Sequence, residues 1–179
     1  MTEIFVDYFI KKSCGDENSM HTLVITNNPV DEEVIFDGGV MITETDTKGI
    51  ITCANRRFRE MTGFTKEELI GFPHSINRHP DMPKGAFRAM WKIIASKKIW
   101  RGYVKNMRKD GKYYWVLVYI QPKLDENDKI IGYVAGRKIV EPEVIKEIKV
   151  LYDKYHGDEY INNQIFMESE HYYASIHGA

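Results

Sequence analysis

Phe72-Pro-His-Ser-Ile-Asn-Arg-His-Pro-Asp-Met-Pro83 opens a run that continues through Phe87, Met90 and Trp91 to Trp100-Arg-Gly-Tyr-Val-Lys-Asn106. It closes on Tyr113-Tyr-Trp-Val116. The rest of the chain is organised around this stretch. All three tryptophans, Trp91, Trp100 and Trp115, fall inside it. Between Arg78 and Lys112 eleven Lys or Arg residues stand against two acids, Asp81 and Asp110. Aromatic surface beside basic residues suits a planar, anionic ligand, and it also suits nucleic acid, so the flanking sequence has to decide.

Working outward, Trp100–Arg108 and Lys112–Gln121 read as two long strands joined at Asp110-Gly111, a strong hairpin signal. Pro122 is expected to stop the second, and Ile130–Ile139 is a third strand after the charged turn Asp125–Lys129. On the other side, Pro83 suits the first turn of a helix. Ala86, Phe87, Met90, Trp91 and Ile94 then make an apolar helical stripe. Phe72–Pro83 itself, with three prolines, has no sustained period and reads as a loop or a chain of single turns. Further back, Thr65-Lys-Glu-Glu68 is a capping box, and Gly63 is placed to end the helix that starts at Ala54. Gly39–Thr45 and Ile50–Cys53 are strands about a turn at Asp46–Gly49. This order predicts an α+β fold, a five-stranded antiparallel sheet with helices grouped on one face.

Residues 1–36 read as an N-terminal extension that caps the domain. Ile4, Phe5, Tyr8 and Phe9 have helical spacing, and Leu23–Ile25 is a short apolar run. The domain proper is placed at residues 37–140. In the C-terminal extension, 141–179, Val144, Ile145, Ile148, Leu151, Tyr152 and Tyr155 predict an amphipathic helix that Gly157 ends. Ile161, Ile165, Tyr172 and Ile176 hint at a second helical piece.

Net charge is −1, so binding of nucleic acid through bulk charge is not indicated. Charge is nonetheless segregated: residues 1–35 hold seven acids and two bases, and residues 125–179 hold eleven and six. The two cysteines, Cys14 and Cys53, lie far apart and outside any CxxC, which argues against a disulfide framework or zinc site and fits a reducing cytosol. No apolar run approaches the ~20 residues that cross a bilayer, and the N-terminus lacks the pattern of a secretory signal. Direct membrane insertion is therefore not expected.

The segment Ala54-Asn55-Arg-Arg-Phe58…Thr62-Gly63-Phe64-Thr65-Lys-Glu-Glu68-Leu69-Ile-Gly71, followed by the three-strand meander, resembles a PAS domain over about residues 37–140. More specifically, His74…Asn77-Arg78-His79-Pro80-Asp81-Met82-Pro83…Trp91, with Trp100–Asn106 and Tyr114-Trp115-Val116, is similar to the PAS domain of bacterial aerotaxis (energy-taxis) receptors. Members of that group bind FAD non-covalently and report its redox state to the chemotaxis machinery. The full-length receptors continue into a membrane anchor, a HAMP segment and a methyl-accepting signalling domain. Here the chain ends some 40 residues past the sheet. The resemblance therefore implies the sensor half of a bipartite receptor, acting by protein–protein contact on a separate, membrane-bound, methyl-accepting chemotaxis-type transducer with a HAMP segment. It implies a cytoplasmic protein, peripheral at the inner membrane only through that partner, with homodimerisation open and nucleic acid set aside.

The cofactor-binding residues implied are Asn55, Arg78, His79, Asp81, Trp91, Trp100, Asn106 and Tyr114. Trp91 and Trp100 offer flat aromatic surface, although Trp91 also fits a plain apolar stripe. The planar fork of Arg78 matches phosphate oxygens. His79 and Asp81 either touch the cofactor or pin the loop through a mutual hydrogen bond, and Asn55 either caps its helix or reaches into the slot. Asn106 is the signalling candidate. Flavin N5 turns from acceptor to N–H donor on reduction, and an amide can answer by rotating, on what is expected to be a central strand. Cys53 sits at a strand end before Ala54, the wrong setting for a light-driven thiol adduct. The Lys105–Lys112 run reads as a solvated hairpin rim. No nucleophile–base set, P-loop or GxGxxG is present, so an enzyme is not expected. The alternatives are a haem-binding gas sensor, with His74 or His79 as axial ligand, and a cofactor-free dimerisation or scaffold module.

Overall fold

Alternating inward and outward side chains from Trp100 to Asn106 build the wall on which everything else rests. The computed structural model describes residues 28–150 in full, with the backbone alone of residues 8–11, 22–25 and 151–154. Strands β1 (Tyr8–Lys11) and β2 (Thr22–Ile25) pair with each other. The main sheet holds β3 (Met41–Thr45), β4 (Ile51–Ala54), β5 (Trp100–Met107), β6 (Tyr113–Leu124) and β7 (Ile130–Lys138), all antiparallel, in the order β4-β3-β7-β6-β5. Helices α1 (Arg56–Thr62), α2 (Lys66–Leu69) and α3 (Lys84–Ala95), with a 3-10 turn at His74–Asn77, connect β4 to β5. Helix α4 (Pro142–Lys154) follows the sheet.

Local chemistry explains these boundaries. Asn55 caps α1 by accepting from the Phe58 amide at 2.9 Å, and Gly63, at φ 75°, ends it in the left-handed conformation that favours glycine. The Thr65–Glu68 capping box is formed in both directions. Pro83 precedes the first helical residue of α3, and Ala86, Met90 and Ile94 turn inward as the stripe predicts. Burial of Met90 and Ile94 stabilises the domain by about 2 kcal/mol each. On β5 the inward residues are Trp100, Gly102, Val104 and Asn106, in register with Ile120, Val118, Val116 and Tyr114 of β6.

Four expectations are corrected. Tyr8–Lys11 is a strand rather than part of a helix, because a partner segment at Thr22–Ile25 supplies ladder hydrogen bonds that apolar spacing cannot reveal. Pro122 does not end β6, which runs to Leu124. The last β5–β6 pair is Trp100 with Ile120, so at Pro122 the strand has a neighbour on one side only, where a missing N–H is tolerated. Strand β5, which carries Asn106, is an edge strand and not a central one. The hairpin rim is also not simply solvated: Lys105, Arg108, Lys109 and Lys112 pair with Asp81, Asp110, Glu68 and Glu32. The second C-terminal helical piece, Gly157 and Cys14 lie outside the described residues.

The connector from Gly71 to Pro83 touches both edges of the sheet. At β4, Ile51 donates to Phe72 and accepts from Gly71, at 2.9 and 2.8 Å. At β5, Arg78 forms a bridge with Asn106, and the Lys105 amide donates to Met82 Sδ at 3.3 Å. Unpaired strand edges are thereby covered by the same segment that precedes α3.

Candidate functional site

Between the inward face of the sheet and the helical side lies a cavity of about 270 Å³. That volume is just below the lower end of ligand clefts, roughly 300–1,000 Å³. Its size suits a flat ring system rather than the whole of a large ligand. The sheet wall is Trp100, Val104 and Asn106 from β5, Val118 and Ile120 from β6, Tyr133, Ala135 and Arg137 from β7, and Thr43 and Thr45 from β3. Met90, Ile94, Phe87 and Trp91 of α3 face them, His74 and Asn77 close the end, and the half-buried Arg78 completes the lining.

Of the residues singled out from sequence, Arg78, Trp91, Trp100 and Asn106 line this cavity. Trp100 is 2% exposed and forms an apolar wall. Trp91 is 36% exposed and stands at the mouth, edge-on to Tyr133 at 5.4 Å between ring centroids. Its ring lies so close to Gly49 that a Cβ there would come within 3.1 Å. The Arg78 guanidinium stacks 3.7 Å over the Phe87 ring, a cation–π contact that fixes its plane.

The other four sit one layer away. Asn55 uses its carboxamide to join α1 to β3, accepting from the Ile42 amide at 3.1 Å and donating to the Val40 carbonyl at 2.9 Å in addition to its cap. Of its two anticipated placements it takes the cap. His79 and Asp81 pin the loop rather than line the cavity. His79 Nδ1 accepts from the Asp81 amide at 3.2 Å, and the exposed Asp81 carboxylate holds Lys105 at 2.7 Å. Tyr114 is fully buried behind the wall. Its hydroxyl accepts from Asn77 Nδ2 at 3.2 Å, and the Asn106 side chain also bonds to it. Burial raises the Tyr114 phenol above its ordinary range despite the nearby Arg137 charge and the two amides, so it stays protonated.

A second cluster, Thr43–His74–Arg137, was not assembled from sequence. Arg137 Nη2 lies 2.7 Å from His74 Nε2, and Nη1 donates to Thr43 Oγ1 at 3.0 Å. A guanidinium can only donate, so Nε2 is the unprotonated nitrogen of His74. Burial, and then the Arg137 charge, depress the His74 pKa to about 3, so the ring is neutral. Its Nε2 lone pair is already used, and His79 is not in the wall, so neither histidine is poised to ligate a haem iron. Among the described residues no group of three or more His, Cys, Asp or Glu is arranged for a metal, and no helix is long and apolar enough to cross a membrane.

An antiparallel sheet in the order found here, with helices on one face and an internal cavity between them, defines a PAS domain. Residues 51–135 match the family model described as PAS fold. The chain is similar to the aerotaxis receptor of Escherichia coli (strain K12), 41% identical over 118 residues that make up 66% of this chain and 23% of the receptor. It is 28% identical over 105 residues to the nitrogen fixation regulatory protein of Klebsiella pneumoniae, covering 59% of this chain and 21% of that protein. The dark structure of the blue-light photoreceptor Aureochrome1 LOV shares the fold, with a TM-score of 0.57 at 21% identity over 64% of this chain and 86% of that one. The chain spans less than a quarter of the length of these two curated relatives.

Proposed function

We propose that the protein is a non-enzymatic redox sensor that binds FAD non-covalently and passes its redox state to a separate chemotaxis transducer by protein–protein contact. The observation that carries this reading is a carboxamide, Asn106, buried in the wall of an internal aromatic cavity and bridged through its backbone to Arg78. The residues present fit the cofactor. Trp100, Val104, Met90 and Ile94 supply apolar surface for a flat ring system, and Lys48 and Arg78 supply positive charge for a diphosphate. When bound, FAD supplies a two-electron centre whose N5 edge accepts a hydrogen bond when oxidised and donates one when reduced. Asn106 can answer both states, since its amide has an acceptor oxygen and a donor nitrogen.

Rotation of the Asn106 amide would be felt beyond the cavity. It shares the Tyr114 hydroxyl with Asn77, and its backbone bridges to Arg78. Its neighbour Lys105 holds Asp81 and Met82. A change at one buried amide thus biases the whole 78–82 strap, a local event acting on a larger element. The similarity to an aerotaxis receptor supports a chemotaxis transducer as the recipient, with the protein held near the membrane by that partner.

One absorption spectrum of the purified protein tests the cofactor: the paired bands of oxidised flavin are expected, a Soret band would mean haem, and no visible absorption would favour a scaffold. Hydrogen exchange of residues 78–82 and 105 is expected to differ between oxidised and reduced protein. An Asn106→Ala variant that keeps FAD is expected to lose that difference; if the difference persists, Asn106 is not the transducing residue.

A further inference from the structure

We propose that Arg137 is the counter-charge for the ligand's buried head, making the inner end of the cavity a subsite for a group that carries or acquires negative charge. Arg137 is 2% exposed, lines the cavity and belongs to strand β7, where its inward position follows Tyr133 and Ala135. Its contacts are all neutral: the Thr43 hydroxyl, the Ala135 carbonyl, His74 Nε2, and the Phe58 ring at 5.0 Å. Among the described residues no carboxylate pairs with it. A buried charge without a partner costs several kcal/mol, a burden that a merely structural hydrogen-bonding role could meet with an uncharged side chain. Burial lowers its pKa only to about 10, so it is a cation at neutral pH, and the adjacent His74 adds no charge. Lys48 and Arg78 also line the cavity but are less buried, and they suit a ligand's tail.

This inference rests on a flavin occupying the cavity. The oxidised ring is neutral. Taking up two electrons from an external reductant such as dithionite, with one proton from water, leaves one net negative charge on the ring. Arg137 favours that reduced form over the oxidised one, because it donates hydrogen bonds to the polar edge of the neutral ring and gains a charge–charge attraction only after the electrons arrive.

The test uses the full chain loaded with FAD, comparing wild type, Arg137→Met and Arg137→Lys in a spectroelectrochemical titration and in FAD binding. The midpoint of Arg137→Met is expected to fall by about 30 mV for each tenfold loss of preference for the reduced form, with at least one such step. Arg137→Lys is expected to recover most of the shift. Loss of FAD from Arg137→Met with retention in Arg137→Lys gives the same support. Replacing an unpartnered buried charge by an apolar chain is often neutral or stabilising, so flavin-free Arg137→Met should melt no lower than flavin-free wild type. A lower melting point would mark Arg137 as a structural bond and overturn the proposal. An unchanged midpoint with FAD bound overturns it while leaving the sensor function standing. Wild type that takes up no FAD overturns both.

Discussion

Tyr114→Phe removes one oxygen atom from the most enclosed polar contact behind the cavity. The hydroxyl accepts from Asn77 at 3.2 Å and meets the Asn106 amide, and all three residues are buried. Water does not reach this site readily, so each amide left without its partner keeps a desolvation cost of about 1–3 kcal/mol. Some relaxation is available to Asn106 because it borders the cavity. The expected loss is therefore about 2 kcal/mol, equivalent to roughly 4–8 °C in Tm for a chain of this size. Urea denaturation of wild type, Tyr114→Phe, Asn77→Ala and the double variant measures it, and the cycle isolates the shared bond. Once Asn77 is truncated, the hydroxyl has lost one partner, so Tyr114→Phe should cost less in that background, by about 1 kcal/mol. Strictly additive losses, or a single-variant loss under about 0.5 kcal/mol, would refute the idea that the hydroxyl joins the two amides.

Two further outcomes follow from the same structure. Folding depresses the pKa of His74 to about 3 and that of His79 to about 4, from 6.5, in both cases chiefly through burial. The unfolded chain therefore binds protons that the folded one refuses. Stability is full above pH 6.5 and falls as pH drops toward these values, at about 1.4 kcal/mol per pH unit for each histidine. His74→Gln should flatten the slope in denaturation measured from pH 7 to pH 5, and an unchanged slope would count against a neutral buried ring. Gly49→Ala forces a side chain onto φ +81° and to 3.1 Å from the Trp91 ring. It is expected to cost about 1–2 kcal/mol and to shift tryptophan emission as the ring at the mouth moves; identical emission and Tm would place Trp91 elsewhere.

Local signals were legible in the chain itself. Thr65 with Glu68, Gly63, and Asp110-Gly111 each act within a few residues, so their geometry is written in short words. Strand Tyr8–Lys11 was not legible, because its pairing with Thr22–Ile25 depends on a segment that apolar spacing does not connect. The edge position of β5 escaped for a similar reason: sheet order is decided by which strand meets which, and β7 inserts between β3 and β6. In the site, the family resemblance carried by the central run implied Arg78, Trp91, Trp100 and Asn106, and these four line the cavity. Asn55, His79 and Asp81 carry side chains that cap and pin equally well, and the structure uses them so. Thr43 and Arg137 lie 94 positions apart and meet only through the β3–β7 register. A signal for Arg137 did exist: with Tyr133 and Ala135 it falls on the inward phase of a two-residue alternation, where an arginine is out of place.

The connector from Gly71 to Pro83 has a consequence for how copies or partners can associate. Because it occupies backbone groups of β4 at Ile51 and of β5 at Lys105 and Asn106, neither border of the sheet is free at those positions to accept an added strand. Growth of the sheet by strand addition, the usual route both to runaway aggregation and to peptide capture, is closed off there. A molecule that meets the sheet at those positions has to rest on a face or a helix, and the staple that covers them is the same stretch whose 3-10 turn closes the end of the cavity.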